Sequence, residues 1–237
     1  DYASTYDVMM SHIYPYMKNN TEFSASLVTM SDYDVIKLRA RQAGNKPFVL
    51  TNLAHGELPN GGGWNHRLPT KRELEFAVWY GIAVGDTPVG FAFYGKHWME
   101  RTLAVPSEPY PSDGPTWHRE VWKPIVEELD TLRYALTNKI NDVSSASSSL
   151  KGSVFQCSVT GKYYVVVVNT SGSTVTNYVY AKLPNGNELP GTWSVARGLS
   201  HDEVLAVYWN NAFVVSMQKY EARVYEMVAA DGSNDPQ

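Results

Sequence analysis

The chain has 237 residues, 43% hydrophobic and 19% charged, with a net charge of −4. That is enough chain for one large domain or two modest ones, and enough apolar content for a packed core, which excludes a disordered protein. The 20 Lys and Arg residues are scattered, which argues against a nucleic-acid partner, and no apolar run reaches the ~18–20 residues of a membrane-spanning helix.

In chain order, YDVMMSHIYPY (Tyr6 to Tyr16) is an apolar run that ends in His, Tyr and Pro. It predicts a buried strand running into a loop. The segment SDYDVIKLRARQAGN predicts a helix after Ser31, with Ser31 as N-cap, Asp34 in the first turn and Gly44-Asn45 as the stop. KPFVLTNLAHG predicts a second buried strand.

Thr70 and Glu73 have the spacing of a capping box, with Pro69 just ahead. Leu74, Ala77, Val78, Gly81 and Ile82 then fall at helical spacing and predict one apolar stripe, ended by Gly85. VGFAFYG (Val89 to Gly95) predicts a third buried strand. A proline-rich loop from Pro106 to Pro115 precedes another helix, with Trp122, Ile125, Val126, Leu129, Leu132 and Leu136 on one face. Pro124 must lie in its first turn or kink it.

Nearly all-apolar strands separated by helices imply a parallel sheet covered on both faces. Right-handed crossovers put the loops after Tyr16, Gly56 and Gly95 on one rim, at the carboxyl ends of the strands, where α/β folds hold their ligands.

NDVSSASSSLKGS (Asn141 to Ser153) reads as a serine-rich linker. It divides an α/β part, residues 1–140, from an all-β part, residues 153–228, with 141–152 as the linker and 229–237 as a polar tail. The runs SVFQCSV, KYYVVVVN, STVTNYVYAKL, TWSVARG, EVLAVYW, AFVVSM and YEARVYEM are separated by turn signals at Thr160-Gly161, Pro184-Asn185-Gly186 and Asn210-Asn211. Seven short strands in about 80 residues fit a small antiparallel β-sandwich.

Aromatic residues make up 13% of the chain, with 16 Tyr and 7 Trp. Flat amphipathic rings stack on sugar faces, so carbohydrate fits as a partner; composition alone favours the plainer reading of a β-rich core edged with tyrosine. The one cysteine, Cys157, leaves no intrachain disulfide and does not identify the compartment. The sequons Asn19-Asn20-Thr21 and Asn169-Thr170-Ser171 make Asn19 and Asn169 glycan acceptors in a secreted protein, and an extracellular or secreted glycoprotein with a leader upstream is the expectation. No phosphate loop, dinucleotide fingerprint, nucleophile elbow or metal-ligand spacing is present, so no cofactor and no metal are expected.

Several blocks carry a family resemblance together: a strand ending HIYPY, a strand ending NLAHG, the block W…LPTKRELEFAVWYGIAVGDTPVGFAFYG, the helix VWKPIVEELDTLRYAL and a β-domain closing YEARVYEM. Over most of residues 6–227 the chain resembles the carboxyl-terminal part of glycoside-hydrolase-like TIM barrels with an appended β-sandwich. The fold class implied is α/β followed by all-β: the last three βα units of a (β/α)8 barrel plus the sandwich. The first five units would then come from an N-terminal portion or from another chain, because three strands cannot close a barrel.

The resemblance implies hydrolysis of a glycosidic bond. That reaction needs two carboxyl groups, one to protonate the leaving oxygen and one as nucleophile or base. In many retaining barrel enzymes the acid ends the fourth strand and the nucleophile the seventh. Here the seventh-strand equivalent ends TNLAHGE. Its end carries Asn52 and His55 in place of Glu, and Glu57 is the nearest carboxylate and the catalytic candidate. The alternative is a non-catalytic extracellular protein that keeps a degenerate scaffold for carbohydrate binding or assembly.

Candidate sugar-binding residues lie along the rim. His12, Tyr14 and Tyr16 follow the first strand, Asn52 and His55 the second, and Tyr94, His97 and Trp98 the third. Three glycines give the Trp64-Asn65-His66 loop a close approach to a ligand. Trp64 either stacks on sugar, with His66 beside it, or packs over the top of the fold.

Overall fold

Three short strands, β1 (Met9–Ile13), β2 (Phe48–Asn52) and β3 (Val89–Phe93), lie in the order β1-β2-β3 and run parallel. Their register is unbroken, from Met9 opposite Phe48 and Phe48 opposite Val89 to Ile13, Asn52 and Phe93 at the carboxyl ends. The three apolar runs therefore do form a parallel sheet, with its carboxyl ends at one edge. The computed structural model describes residues 9–13, 22–42, 44, 48–52, 69–85, 89–93, 114–199 and 201–229. The chain divides into two units: Asp1–Val78 with Gly85–Glu127, and Trp79–Val84 with Glu128–Gln237.

The first helix, α1 (Glu22–Gln42), begins nine residues before Ser31. Ser31 is thus an exposed residue inside the helix and not its N-cap, and Asp34 is not in its first turn. Thr29, Tyr33 and Ile36 form its buried stripe. The stop is as expected: Gly44 takes φ +87° and donates its N–H to the Arg41 carbonyl at 3.0 Å.

The start of α2 (Lys71–Val84) is the reciprocal pair that its spacing predicts. The Glu73 N–H donates to Thr70 Oγ1 at 3.0 Å, and the Thr70 N–H donates to Glu73 Oε2 at 2.8 Å. Burial goes beyond the expected stripe. Residues 76–83 are all buried, Trp79 and Tyr80 among them, which is the signature of an interior helix.

The last helical stretch runs through α3 (Gly114–Trp117), a π-turn at His118–Trp122 and α4 (Lys123–Leu136). The wide turn has a local reason. Pro124 has no N–H and its ring crowds the carbonyl four residues back, and the π-turn, closed by Lys123 N–H to the His118 carbonyl, lies just ahead of it. Val121, Ile125, Leu132 and Ala135 form the buried face, whereas Val126, expected there, is exposed.

All seven β-rich runs form strands, and two polar strands precede them. In order they are β4 (Lys139–Asp142), β5 (Ser144–Ser145), β6 (Leu150–Gln156), β7 (Tyr163–Asn169), β8 (Val175–Tyr180), β9 (Trp193–Gly198), β10 (Val204–Ala206), β11 (Ala212–Met217) and β12 (Ala222–Ala229). They make two antiparallel sheets, β10-β9-β12-β7-β6-β4 and β11-β8-β5. One core draws on both: Val154, Val165, Val167 and Met227 from the larger sheet, Val179, Phe213, Val215 and Met217 from the smaller.

The serine-rich stretch is therefore not a free linker. It carries β4 in one sheet and β5 in the other, and its serines close the turn between. Ser145 Oγ donates to the Tyr178 carbonyl at 2.7 Å and accepts from the Ser147 N–H at 3.2 Å, and the Ser149 carbonyl accepts from the Thr170 N–H at 2.8 Å.

Thr70→Ala removes one half of the capping pair. It is expected to lower unfolding stability by about 1 kcal/mol, read as a shift in urea midpoint at unchanged slope.

Candidate functional site

The parallel register settles which predicted rim residues are neighbours. His12 stands opposite Thr51, and Asn52 stands opposite Ile13 on one side and Phe93 on the other. His12 and Asn52 are thus both at the carboxyl edge but one register position apart, and successive strand positions alternate between faces. Tyr14, Tyr16, Asn19, His55, Glu57, Trp64, Asn65, His66, Tyr94, His97 and Trp98 lie outside the described residues. The strands bring three loop origins to one edge, and His12 and Asn52 mark two of them.

One anchor at the start of α2 is well defined. The Trp117 indole N–H, in a buried side chain, donates to the Pro69 carbonyl at 2.7 Å. Pro69 directly precedes the capping pair, so α3 holds the point at which the GGGWNHRLPT segment enters α2.

The polar clusters of the β-unit have closed geometries. Arg223 bridges two carboxylates, with Nη1 donating to Glu203 Oε2 at 2.6 Å and Nη2 to Glu221 Oε1 at 2.9 Å. The Tyr225 hydroxyl adds a bond to Glu203 Oε2 at 3.0 Å. Burial raises the Tyr225 pKa, and the Glu203 charge raises it further. Burial works against the Arg223 charge, but Tyr225 and Glu221 outweigh it and hold the group above its ordinary value. A hydrolytic carboxylate pair leaves a gap for sugar or water; here a guanidinium joins the two.

On the next strand pair, Lys162 Nζ lies 2.7 Å from Glu226 Oε1. Tyr164 is pushed up to about 12 by burial, then by the charges of Glu226 and Cys157. Burial would raise the Cys157 thiol, but hydrogen bonds at Thr160 and the nearby Lys162 charge bring it below its ordinary value.

Asn169 corrects one expectation. Its side-chain nitrogen, the atom to which a glycan would be joined, donates to the carbonyls of Ser173 at 2.7 Å, Gln218 at 2.8 Å and Met217 at 3.2 Å. Its oxygen accepts from the Ser171 N–H and hydroxyl, both at 2.9 Å, and the residue is fully buried. Asn169 ties the end of β7 to the turn after β11 and offers no acceptor in the folded chain. The sequon alone could not reveal this, because the partners are Ser173 nearby and the far-off turn at 217–218.

Among the described residues no group of three or more His, Cys, Asp or Glu is placed to hold a metal ion, and no helix is long and apolar enough to cross a membrane.

No protein-family model matches the chain, and no curated protein matches it. Among solved structures it is similar to a noncanonic maltogenic alpha-amylase from Thermotoga neapolitana, at 10% identity over 95% of this chain and 51% of that one, with a TM-score of 0.49. A GH30 endoxylanase from Clostridium papyrosolvens is similar at 11% identity over 95% and 50%, TM-score 0.45, and an Anoxybacillus alpha-amylase at 13% over 98% and 46%, TM-score 0.46. These neighbours are glycoside hydrolases by their descriptions. At scores below 0.5 the likeness carries no argument about activity, and the chain spans about half of their length.

Two outcomes follow from this geometry. Asn169→Ala is expected to cost about 1–3 kcal/mol in urea unfolding, because it strands the Met217 carbonyl and removes the bonds to Ser173 and Gln218, and intact-mass measurement of protein from a glycosylating host is expected to show no glycan on Asn169. For Tyr164, a pKa raised on folding contributes stability that is fully present below the unfolded value of 10 and is lost as pH rises through about 12. Unfolding stability should fall across that interval, and Tyr164→Phe should flatten the fall in the same titration.

Proposed function

We propose that the chain is the carboxyl-terminal part of a glycoside hydrolase: the last three βα units of a (β/α)8 barrel, then a small antiparallel β-sandwich. The observation that carries this reading is the unbroken parallel register of β1, β2 and β3, which gathers three strand ends at one edge. The loop after β2 carries Glu57, five positions beyond Asn52, and the Trp64 to Tyr94 block resembles glycosidase barrels.

Glu57 either attacks the anomeric carbon as nucleophile or, as base, takes a proton from the water that attacks it. The acid that protonates the leaving oxygen comes from the remainder of the barrel, on an N-terminal portion or a partner chain. Among the described residues β1 and β3 each have one unpaired edge, and further strands would cover those edges. His12, Asn52 and His55 hydrogen-bond sugar hydroxyls. Tyr14, Tyr16, Trp64, His66, Tyr94 and Trp98 shape the sugar-binding rim. Such an enzyme acts on extracellular carbohydrate as a secreted protein, with Asn19 as its glycan acceptor.

A second reading has one specific observation in its favour. The described strand ends carry His12 and Asn52 where a hydrolase would place carboxylates. That arrangement suits a scaffold that binds sugar without cleaving it.

The two readings part on one assay. The protein, with its upstream portion or co-purified partner, is offered aryl glycosides and neutral polysaccharides, and reducing ends are counted. Hydrolysis that falls on the order of 10²–10⁴-fold in Glu57→Gln supports the enzyme reading. Hydrolysis unchanged in Glu57→Gln overturns the role of Glu57, and sugar binding without any hydrolysis supports the binding scaffold.

A further inference from the structure

We propose that the outer face of the smaller antiparallel sheet is a binding surface for a neutral polysaccharide, with Tyr178, Tyr180, Tyr208 and Trp209 as its stacking platform. The proposal does not rest on the glycosidase reading, because it uses none of the rim residues.

Tyr178 and Tyr180 are two positions apart on β8, so alternation puts them on one face, while Val179 between them is in the core. Tyr178 is 45% exposed, Tyr208 50% and Trp209 75%. The three tyrosine rings are contiguous, and Trp209 follows Tyr208 in sequence. Tyr178 lies 6.3 Å from Tyr180 with a 32° tilt, and 6.1 Å from Tyr208 at 71°. Tyr178 and Tyr180 are thus tilted neighbours, and Tyr208 meets Tyr178 edge to face. Large rings gathered in water on a chain with a complete core beneath them mark a contact surface.

The turn that carries Trp209 is built at a cost. Asn210 and Asn211 both hold left-handed backbone, at φ 59° and 52°, a conformation in which consecutive non-glycine residues are rare. The turn is nevertheless fixed at both ends. The Tyr208 N–H donates to the Ala212 carbonyl at 2.7 Å, and the Ala181 N–H, next to Tyr180, donates to the Asn211 carbonyl at 3.2 Å. Asn211 is buried, and its side-chain nitrogen has no acceptor among the described residues. Strain, and a buried donor without an acceptor among the described residues, next in sequence to a three-quarters exposed indole, are what a fold retains for a function rather than for stability.

The occupant follows from the chemistry of the face. Its four rings carry no formal charge, and neither do the neighbouring hydroxyls of Thr176 and Ser216, which bond each other at 2.8 Å across β8 and β11. Lys182 Nζ sits over Tyr180 at 5.8 Å from its centroid. Among the described residues one cation, Lys182, is found over these rings, which offers a polyanion or an anionic membrane no array of charges. Aromatic faces against sugar C–H groups, with phenol and alcohol hydroxyls at their margins, match an uncharged glycan chain.

Affinity electrophoresis of the 237-residue chain through gels containing soluble starch, xylan or mixed-linkage β-glucan tests the proposal. Retardation by at least one of them is expected, and Trp209→Ala and Tyr178→Ala should each weaken it about tenfold or more while melting as the parent does. Val159→Ala, another exposed apolar position, should leave it unchanged. No retardation by any of the three glycans overturns the proposal. So does retardation that survives both aromatic substitutions, or Trp209-dependent binding to phosphatidylcholine vesicles without glycan binding. Retardation needs no turnover, so failure of the hydrolysis assay leaves this result intact.

Discussion

The burial of β7 on both faces is the constraint from which the β-unit follows. Val165, Val166, Val167 and Val168 have no exposed surface. Alternation sends Val165 and Val167 to one face and Val166 and Val168 to the other. Such a strand cannot stand at a sheet edge, nor can its sheet meet water on either side. The sheet order satisfies the first demand, with β6 and β12 flanking β7. The smaller sheet answers the second on one face, where Val179, Phe213 and Val215 join Val165 and Val167 in a single core. On the other face Ser153, opposite Val166, donates its hydroxyl to the Ala83 carbonyl in the last turn of α2 at 2.5 Å. Burying each valine is worth roughly 1.5–3 kcal/mol, more than a typical neutral hydrogen bond, and there are four of them, so the coverings follow the strand.

What could be read in advance divides along the same physical line. YYVVVV announces a strand by composition alone, and Thr70 with Glu73 announces a helix start by spacing, because both signals are local. The polar segments are different. Asn141, Asp142 and the serines after them look like a linker because their partners are distant in sequence: Ser145 meets Tyr178, and Ser149 meets Thr170. Gly152 reads as linker flexibility but marks close approach, since a Cβ there would collide with the Val166 carbonyl and the Val143 side chain. The early start of α1 escaped because Glu22 to Met30 mixes Ser, Thr and apolar residues without a clear stripe. The rim was legible as three apolar runs sharing an edge. Its side chains were legible only as types, since what a loop residue does depends on neighbours that no local pattern encodes.

Most polar chemistry of the β-unit is turned inward, toward holding the fold. Glu203 and Glu221 are joined by Arg223, Glu226 is paired with Lys162, and Asn169 engages both ends of its carboxamide. These groups are acidic or amide-bearing and so invite catalytic or glycan readings, yet each is saturated by protein partners. A group already satisfied in this way has little left to offer a ligand, because a new bond would first have to break an existing one at a cost near that of the bond gained.

The contrast with the aromatic face is therefore the informative one. There the side chains present area rather than hydrogen-bonding capacity, and area in water is not satisfied by anything within the chain. Tyr178, Tyr208 and Trp209 could have been serine or threonine, as their neighbours Thr176 and Ser216 are, without disturbing the core around Val179 and Phe213. Their placement outside that core, Tyr178 on β8 and Tyr208 and Trp209 at a turn that two left-handed asparagines bend and two backbone bonds fix, is not explained by folding. It is explained by a second surface that must meet these rings, and the uncharged face restricts that surface to one that stacks rather than pairs charge.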